Sequence, residues 1–329
     1  MAEGFSYKAP GNTHLANGWD FVDSLHDNTY DHVDPKNFDL SGRTVFLTGA
    51  SKGIGRETAL SFARAGVSNI AIGARSSLDA LEKGLQSAAQ QAGRQVPQIL
   101  AFHLDVTDYA SVERAAAEVE KAFGSLDIMI NNAGYCEPFM NILDSKPEEW
   151  IRSFQVNVFG TYHVTRAFLP LLLKTPNGMK QIVNLTSIGS ALVMPGGSGY
   201  NTSKLAISRF TECISAEYPE VLSYSVHPGG VSQTYCIITY ATYREDGIGV
   251  SLMVATELAS GLPEALLPLL TDKPQLAADT MVWLTAERRE WLQGRYISAT
   301  WDMYELLQKR QEIMSGDLLK AKMRVEYGG

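Results

Sequence analysis

"VFLTGASKGIGRETALSF", residues 45–62, reads as a strand, a glycine turn and a helix. Apolar and β-branched residues run up to Thr48, glycines crowd the next positions, and an apolar pattern of helical period then begins. Such a turn lets backbone N–H groups and the positive end of a helix approach a phosphate, because glycine has no Cβ in the way. Gly49, Gly53 and Gly55 are spaced GxxxGxG rather than GxGxxG, and no GK[ST] follows, which argues against a P-loop nucleoside triphosphatase. Alone, the glycines could equally make a tight structural turn.

Working outward, apolar runs at 69–75, 98–106, 126–134, 180–187 and 222–230 alternate with helical patterns such as "YASVERAAAEVEKAFG". Strands that are apolar along their whole length suit a parallel sheet covered on both faces. The expected fold is α/β: a single-domain, Rossmann-like, doubly wound parallel sheet with helices on both faces. The expected organisation is an N-terminal arm at 1–40 lying on the surface, a dinucleotide-binding and catalytic body at 41–300, and a peripheral helical extension at 301–329. In "SKPEEW" (145–150), Ser145 is placed to cap a helix, with Glu148 reaching back.

The 329 residues are 45% hydrophobic and 19% charged, as expected of an ordered globular protein, and the formal net charge is -8. That charge, with no basic cluster, speaks against nucleic acid as a partner. Cys136, Cys213 and Cys236 are too scattered for a disulfide framework or a metal pair and read as buried thiols; no metal site is expected. His103 and His163 read as structural. No signal sequence is evident, and "AFLPLLL" (167–173) falls well short of the ~20 residues that span a bilayer. A cytoplasmic protein without a membrane anchor is expected.

Arg75 ends the second strand, where an acidic residue would bind a ribose 2′-hydroxyl and an arginine would accept a 2′-phosphate. With Lys52 in the glycine turn, this favours NADP(H), with NAD(H) possible. Asp79 is a competing ribose ligand but stands at an expected helix start. Elsewhere, "SGYNTSKLAISRF" (198–210) sets Tyr200 and Lys204 four residues apart, on one face of a helix.

These motifs, taken together, resemble the classical short-chain dehydrogenases/reductases: "TGASKGIG" (48–55), "DVTD" (105–108), "NNAG" (131–134), Asn157 in "NVFG", Ser187, "YNTSK" (200–204) and "HPGGV" (227–231) occur in that family's order. The resemblance covers about residues 41–300. It implies that Tyr200 donates and accepts the proton, Lys204 lowers its pKa and holds the nicotinamide ribose, Ser187 fixes the substrate oxygen, and Asn157 supports a water link to the lysine. It further implies dinucleotide contacts from Gly49, Ser51, Lys52, Gly53, Ile54 and Gly55, with Asp105 and Val106 flanking the adenine. Asn132, Ala133 and Gly134 would back the ribose, and Pro228, Gly229 and Val231 would lie against the nicotinamide. The family often has threonine five residues after that proline; here Gln233 stands there and Thr234 follows, so Thr234 is the candidate carboxamide contact.

Hydride exchange at a carbinol carbon leaves an oxygen that must gain or lose a proton. Bringing a phenol from about 10 to about 7 takes roughly 4 kcal/mol. A cation 4 Å away supplies about 1 kcal/mol in water but about 4 at an effective dielectric near 20, so the pair needs a sheltered cleft or help from oxidised nicotinamide. The implied activity is NADP(H)-dependent transfer between nicotinamide and a ketone or secondary alcohol. "QTYCIITYATYREDGIGVSLMV" (233–254), in the family's substrate flap, suggests a bulky, apolar substrate, although Tyr235, Ile237, Ile238, Tyr240 and Tyr243 could instead pack on the core. A homodimer or homotetramer through the helices near Glu149 and Tyr200 is expected by family habit. The alternative is a non-catalytic nucleotide sensor or scaffold, which would predict loss of Tyr200, Lys204 or Ser187. A Ser-His-Asp hydrolase lacks its GxSxG elbow.

Overall fold

The computed structural model describes residues 21–231, 238–244, 247–253 and 270–323. Seven parallel strands form one sheet: β1 (Thr44–Thr48), β2 (Asn69–Ala74), β3 (Gln98–His103), β4 (Ile128–Asn131), β5 (Gln181–Leu185), β6 (Leu222–His227) and β9 (Arg295–Ser298), in the order β3-β2-β1-β4-β5-β6-β9. The helices are α1 (Gly53–Arg64), α2 (Asp79–Gln91), α3 (Tyr109–Phe123), α4 (Pro147–Phe154), α5 (Thr161–Lys174), α6 (Ser198–Glu217), α7 (Pro274–Ala286), α8 (Met303–Gln308) and α9 (Arg310–Ser315).

Period-two alternation explains why the strands are apolar throughout. Val45, Leu47, Ile70, Ile72, Ile128 and Ile130 enter the core shared with α1, α2 and α7. Their neighbours Phe46, Ala71 and Met129 enter the opposite core with α3 and α5, where Phe46 stacks on Phe168 at 3.9 Å between centroids. The chain runs from β1 out to β3, then returns to lay β4 on the other side of β1. A crevice at the carboxyl ends of β1 and β4 follows, which is where such sheets bind ligands.

Several expectations change. Ser145 is not a helix cap: Pro147 opens α4, Lys146 holds the N-cap position, and the Ser145 hydroxyl donates instead to the Ile142 carbonyl at 2.9 Å. Proline at the first helical position places the serine one residue too early. Cys213 is exposed, because the helical period turns Thr211 and Ile214 inward and leaves Cys213 on the outer face of α6; Cys136 is buried, and Cys236 lies outside the described residues. β9 is a strand that no long apolar run announces.

The described parts of the flanking segments, residues 21–40 and 301–323, pack onto the body. Val22, Val33 and Leu40 are buried, as are Trp301, Met303, Leu306 and Ile313, all in the core on the α7 side. Leu25 and Trp301 form an antiparallel bridge, and the His26 N–H donates to the Thr300 carbonyl at 2.7 Å. Residues 301–313 of the expected extension therefore pack inward, because their apolar residues recur on one face. Residues from the expected flap form an antiparallel hairpin, β7 (Ile238–Arg244) with β8 (Gly247–Met253).

Candidate active site

The glycine turn leaves β1 with Gly49 at φ +67° and Gly53 at φ +55°, conformations that favour glycine. A Cβ on Gly49 would lie 2.8 Å from the Asn132 amide nitrogen, and one on Gly55 2.2 Å from the Gly49 carbonyl oxygen. Asn132 straps the end of β4 to this turn: its side-chain amide donates to the carbonyls of Thr48 at 2.9 Å and Gly49 at 3.1 Å. The backbone N–H groups of Asn132 and Ala133 in turn donate to the Thr48 hydroxyl, each at 3.1 Å. Lys52, at the N-cap of α1, makes no side-chain cap hydrogen bond to the first-turn N–H groups. A tight glycine turn at an uncapped helix N-terminus fits a dinucleotide phosphate.

Arg75 and Asp105 follow the ends of β2 and β3. Burial pushes the Asp105 carboxyl up, but the Thr107 backbone N–H and hydroxyl and the Arg75 charge outweigh it and leave its pKa lowered. Both Thr107 groups donate to Asp105 Oδ1, at 2.9 and 2.8 Å. Val106 is buried against Gly160, where a Cβ would come within 2.5 Å of it, and its carbonyl lies 2.9 Å from His163 Nδ1.

The candidate catalytic groups come from three elements. Ser187 sits just beyond β5, Tyr200 and Lys204 lie on α6, and Asn157 occupies a π-helical turn (155–160) between α4 and α5. Asn157 is buried: its amide donates to the Tyr135 carbonyl at 2.8 Å and the Ser203 hydroxyl at 2.9 Å, and its oxygen accepts from the Tyr135 N–H at 2.8 Å. Lys204 is 5% exposed; its ammonium donates to the Leu185 carbonyl at 2.8 Å and lies 5.6 Å from the centre of the Tyr200 ring. The Ser187 hydroxyl accepts the Gly189 N–H at 3.1 Å and is near enough to the Tyr200 phenol to favour its ionised form. Gly134 lies beside Asn157 and Lys204, with room for a Cβ 3.5 Å and 3.6 Å from their polar atoms.

Burial governs the electrostatics of this group of side chains. Burial pushes the Tyr200 phenol above its usual range, Cys136 adds to this, the nearby Ser187 hydroxyl opposes it, and Glu137 raises it further. Burial also lowers Lys204 to about 8. In the protein alone, desolvation is the largest influence on both groups, disfavouring the phenolate and the ammonium alike. Cys136, also buried, is pushed up to about 12 by burial and by Glu137, with Lys204 opposing.

Pro228, Gly229 and Val231 follow β6. Gly229 adopts φ +91°, and Val231 forms a parallel bridge with Asp272, whose carboxyl accepts the Gly230 N–H at 2.6 Å. Thr234 lies outside the described residues, as do Gln233, Tyr235 and Ile237 and the side chains of the hairpin tyrosines.

The sequence reading missed Glu137. Its buried carboxyl accepts the Tyr200 N–H at 2.7 Å and the Ser153 hydroxyl, and Gly199 leaves space for it. The signal was a lone acid in "NNAGYCEPF", directly after a motif already singled out. Asp272 carried no local signal.

Comparison with known proteins decides the family. The family model for short chain dehydrogenases matches residues 43–239. The chain belongs to the short-chain dehydrogenase family. The short chain dehydrogenase citE of Monascus ruber is 46% identical over 93% of this chain and 97% of its own length. The short chain dehydrogenase andI of Emericella variicolor is 35% identical over 93% and 97% respectively. Among solved structures, an alcohol dehydrogenase from the archaeon Thermococcus sibiricus complexed with 5-hydroxy-NADP is 28% identical, with a TM-score of 0.59 over 78% of this chain and 95% of that one. This short-chain dehydrogenase is therefore an oxidoreductase acting on CH–OH or C=O groups of small molecules with a nicotinamide cofactor. Among the described residues, no helix is long and apolar enough to cross a membrane.

Proposed function

We propose that this short-chain dehydrogenase uses NADP(H) to interconvert a ketone and a secondary alcohol, and that its substrate is bulky and largely apolar. The observation that carries the reading is the convergence of Ser187, Tyr200 and Lys204 beside the strapped glycine turn. For the cofactor preference, support comes from Arg75 at the end of β2 and from the archaeal relative, whose structure holds 5-hydroxy-NADP. For the substrate, support is the aromatic and apolar composition of residues 233–254.

In this reading Ser187 fixes the substrate oxygen and Tyr200 passes a proton to or from it. Lys204, held at the Leu185 carbonyl, reaches the nicotinamide ribose, and Asn157 holds the Tyr135 backbone beside Gly134 and Lys204. When bound, the nicotinamide accepts or supplies the hydride, and its oxidised form adds the positive charge that the phenol lacks in the protein alone. Gly49, Ser51, Gly53, Ile54 and Gly55 would receive the phosphates, Lys52 and Arg75 the 2′-phosphate side, Asp105 and Val106 the adenine. Asn132 to Gly134 would line the ribose, and Pro228 to Val231, with Thr234, the nicotinamide.

Half-exposed Ile151, Phe159, Tyr162 and Leu205 on the α4–α6 face support a homodimer or homotetramer. We place the protein in the cytoplasm. The test follows NADPH and NADH oxidation optically against ketones of graded size. Preferential NADPH oxidation with large apolar ketones is expected, reduced about 10²- to 10⁴-fold by Tyr200→Phe; equal turnover of short polar ketones, or an active phenylalanine variant, would refute the reading.

A further inference from the structure

Beyond Ser187 the carboxyl ends of β6 and β9 enclose a cavity of about 400 Å³, within the size range of small-molecule sites. Its lining includes Ile188, the residue after Ser187, and Gly230 of the glycine-rich turn after β6. Further lining comes from the N-terminal segment, where Leu25, His26 and Asp27 are pinned by the Leu25–Trp301 bridge and by the Lys273 N–H donating to the Asp27 carbonyl at 2.7 Å. Most of this lining, including Asp27, Asp272, Ser298 and Thr300, lies outside the stretch matched by the family model.

The lining is polar in one sense. His227 is 6% exposed, and its Nδ1 has no partner among the described residues. Burial lowers its pKa to about 3, so the ring is neutral. Ser298 and Thr300 share a hydrogen bond of 2.7 Å between their hydroxyls. Burial, only partly offset by the Gly230 N–H, raises Asp272 to about 6, and the charge of Asp27 adds to this. His26 pairs with Asp302 at 2.8 Å. No lysine or arginine lines the cavity among the described residues. Acceptors with no lysine or arginine among them welcome a hydroxyl donor and disfavour an anion.

We propose that this cavity is a recognition subsite for a hydroxyl-bearing end of the substrate and discriminates against carboxylated analogues. It rests on the oxidoreductase reading only for its link to the carbonyl held at Ser187; binding itself does not require turnover.

The probes are acetophenone, 4-hydroxyacetophenone and 4-carboxyacetophenone, titrated calorimetrically into the full-length protein at pH 7, with NADPH oxidation followed in parallel. The hydroxylated ketone should bind about tenfold more tightly than acetophenone, and the carboxylated one most weakly. Asp272→Asn, and separately the exposed Asp27→Asn, should narrow the hydroxyl-to-carboxylate ratio about tenfold; a ratio within each variant is unaffected by any general loss of activity. Binding of the carboxylated ketone equal to that of the hydroxylated one, or a ratio unchanged in both variants, overturns the subsite. Hydroxyl-selective binding without NADPH oxidation supports the subsite and refutes the proposed NADPH-dependent reduction of such ketones instead.

Discussion

The buried carboxyl of Glu137 accepts the backbone N–H of Tyr200 at 2.7 Å, so the first turn of α6 is anchored at the residue that bears the reactive phenol. An acid at a helix N-terminus satisfies an orphan donor and complements the dipole. The same charge raises the phenol. Glu137→Gln keeps an acceptor for the N–H and removes the charge, so the acidic limb of kcat/KM for alcohol oxidation should move to lower pH with cofactor binding unchanged. An unmoved limb would show that Glu137 serves only the helix. Glu137→Ala should in addition lose about 1 kcal/mol of stability from the missing cap, read by urea unfolding.

Arg75 tests the cofactor preference. Arg75→Asp replaces a 2′-phosphate acceptor with a group suited to the 2′-hydroxyl, and the NADPH-to-NADH ratio of kcat/KM should fall about 10- to 100-fold. An unchanged ratio removes the 2′-phosphate assignment.

Lys204 gives a stability signature independent of catalysis. Its folded pKa is about 8 against an ordinary 10.5, so between those values the unfolded chain holds a proton that the folded chain has released. Stability of the wild type should therefore rise with pH across that window. Lys204→Met lacks this rise. From pH 7 to pH 10 the wild type should gain about 2 kcal/mol relative to the variant in urea unfolding, and parallel pH curves would contradict the assignment.

Trp301 is fully buried, with Phe21 at 5.5 Å and Tyr296 at 5.8 Å between ring centroids. Trp301→Ala should cost about 3–5 kcal/mol by denaturant unfolding. A loss below 1 kcal/mol, as for a surface change, would mean the N-terminal segment is not held by this ring.

The sheet was legible because strand alternation and glycine turns are local: Val45, Phe46 and Leu47 declare a two-faced strand without reference to the rest of the chain. The Tyr200–Lys204 pair was legible for the same reason, being fixed by helical pitch. What escaped notice depends on distant partners. Glu137 gains meaning only where α6 begins, sixty-three positions away. The inward face of residues 301–313 appears only when Trp301, Met303 and Leu306 find the α7 side of the sheet. The spacing gives a cation's position but not how far both groups are desolvated, which only the folded chain shows.

His26 and Asp302 meet at 2.8 Å although 276 positions separate them along the chain. On the ribosome, one wall of the hydroxyl-lined chamber emerges long before the other. The glycine turn and its strap can assemble while synthesis continues, but that chamber cannot close until translation has passed Asp302. Nascent chains halted earlier would hold the strapped glycine turn with the chamber still open.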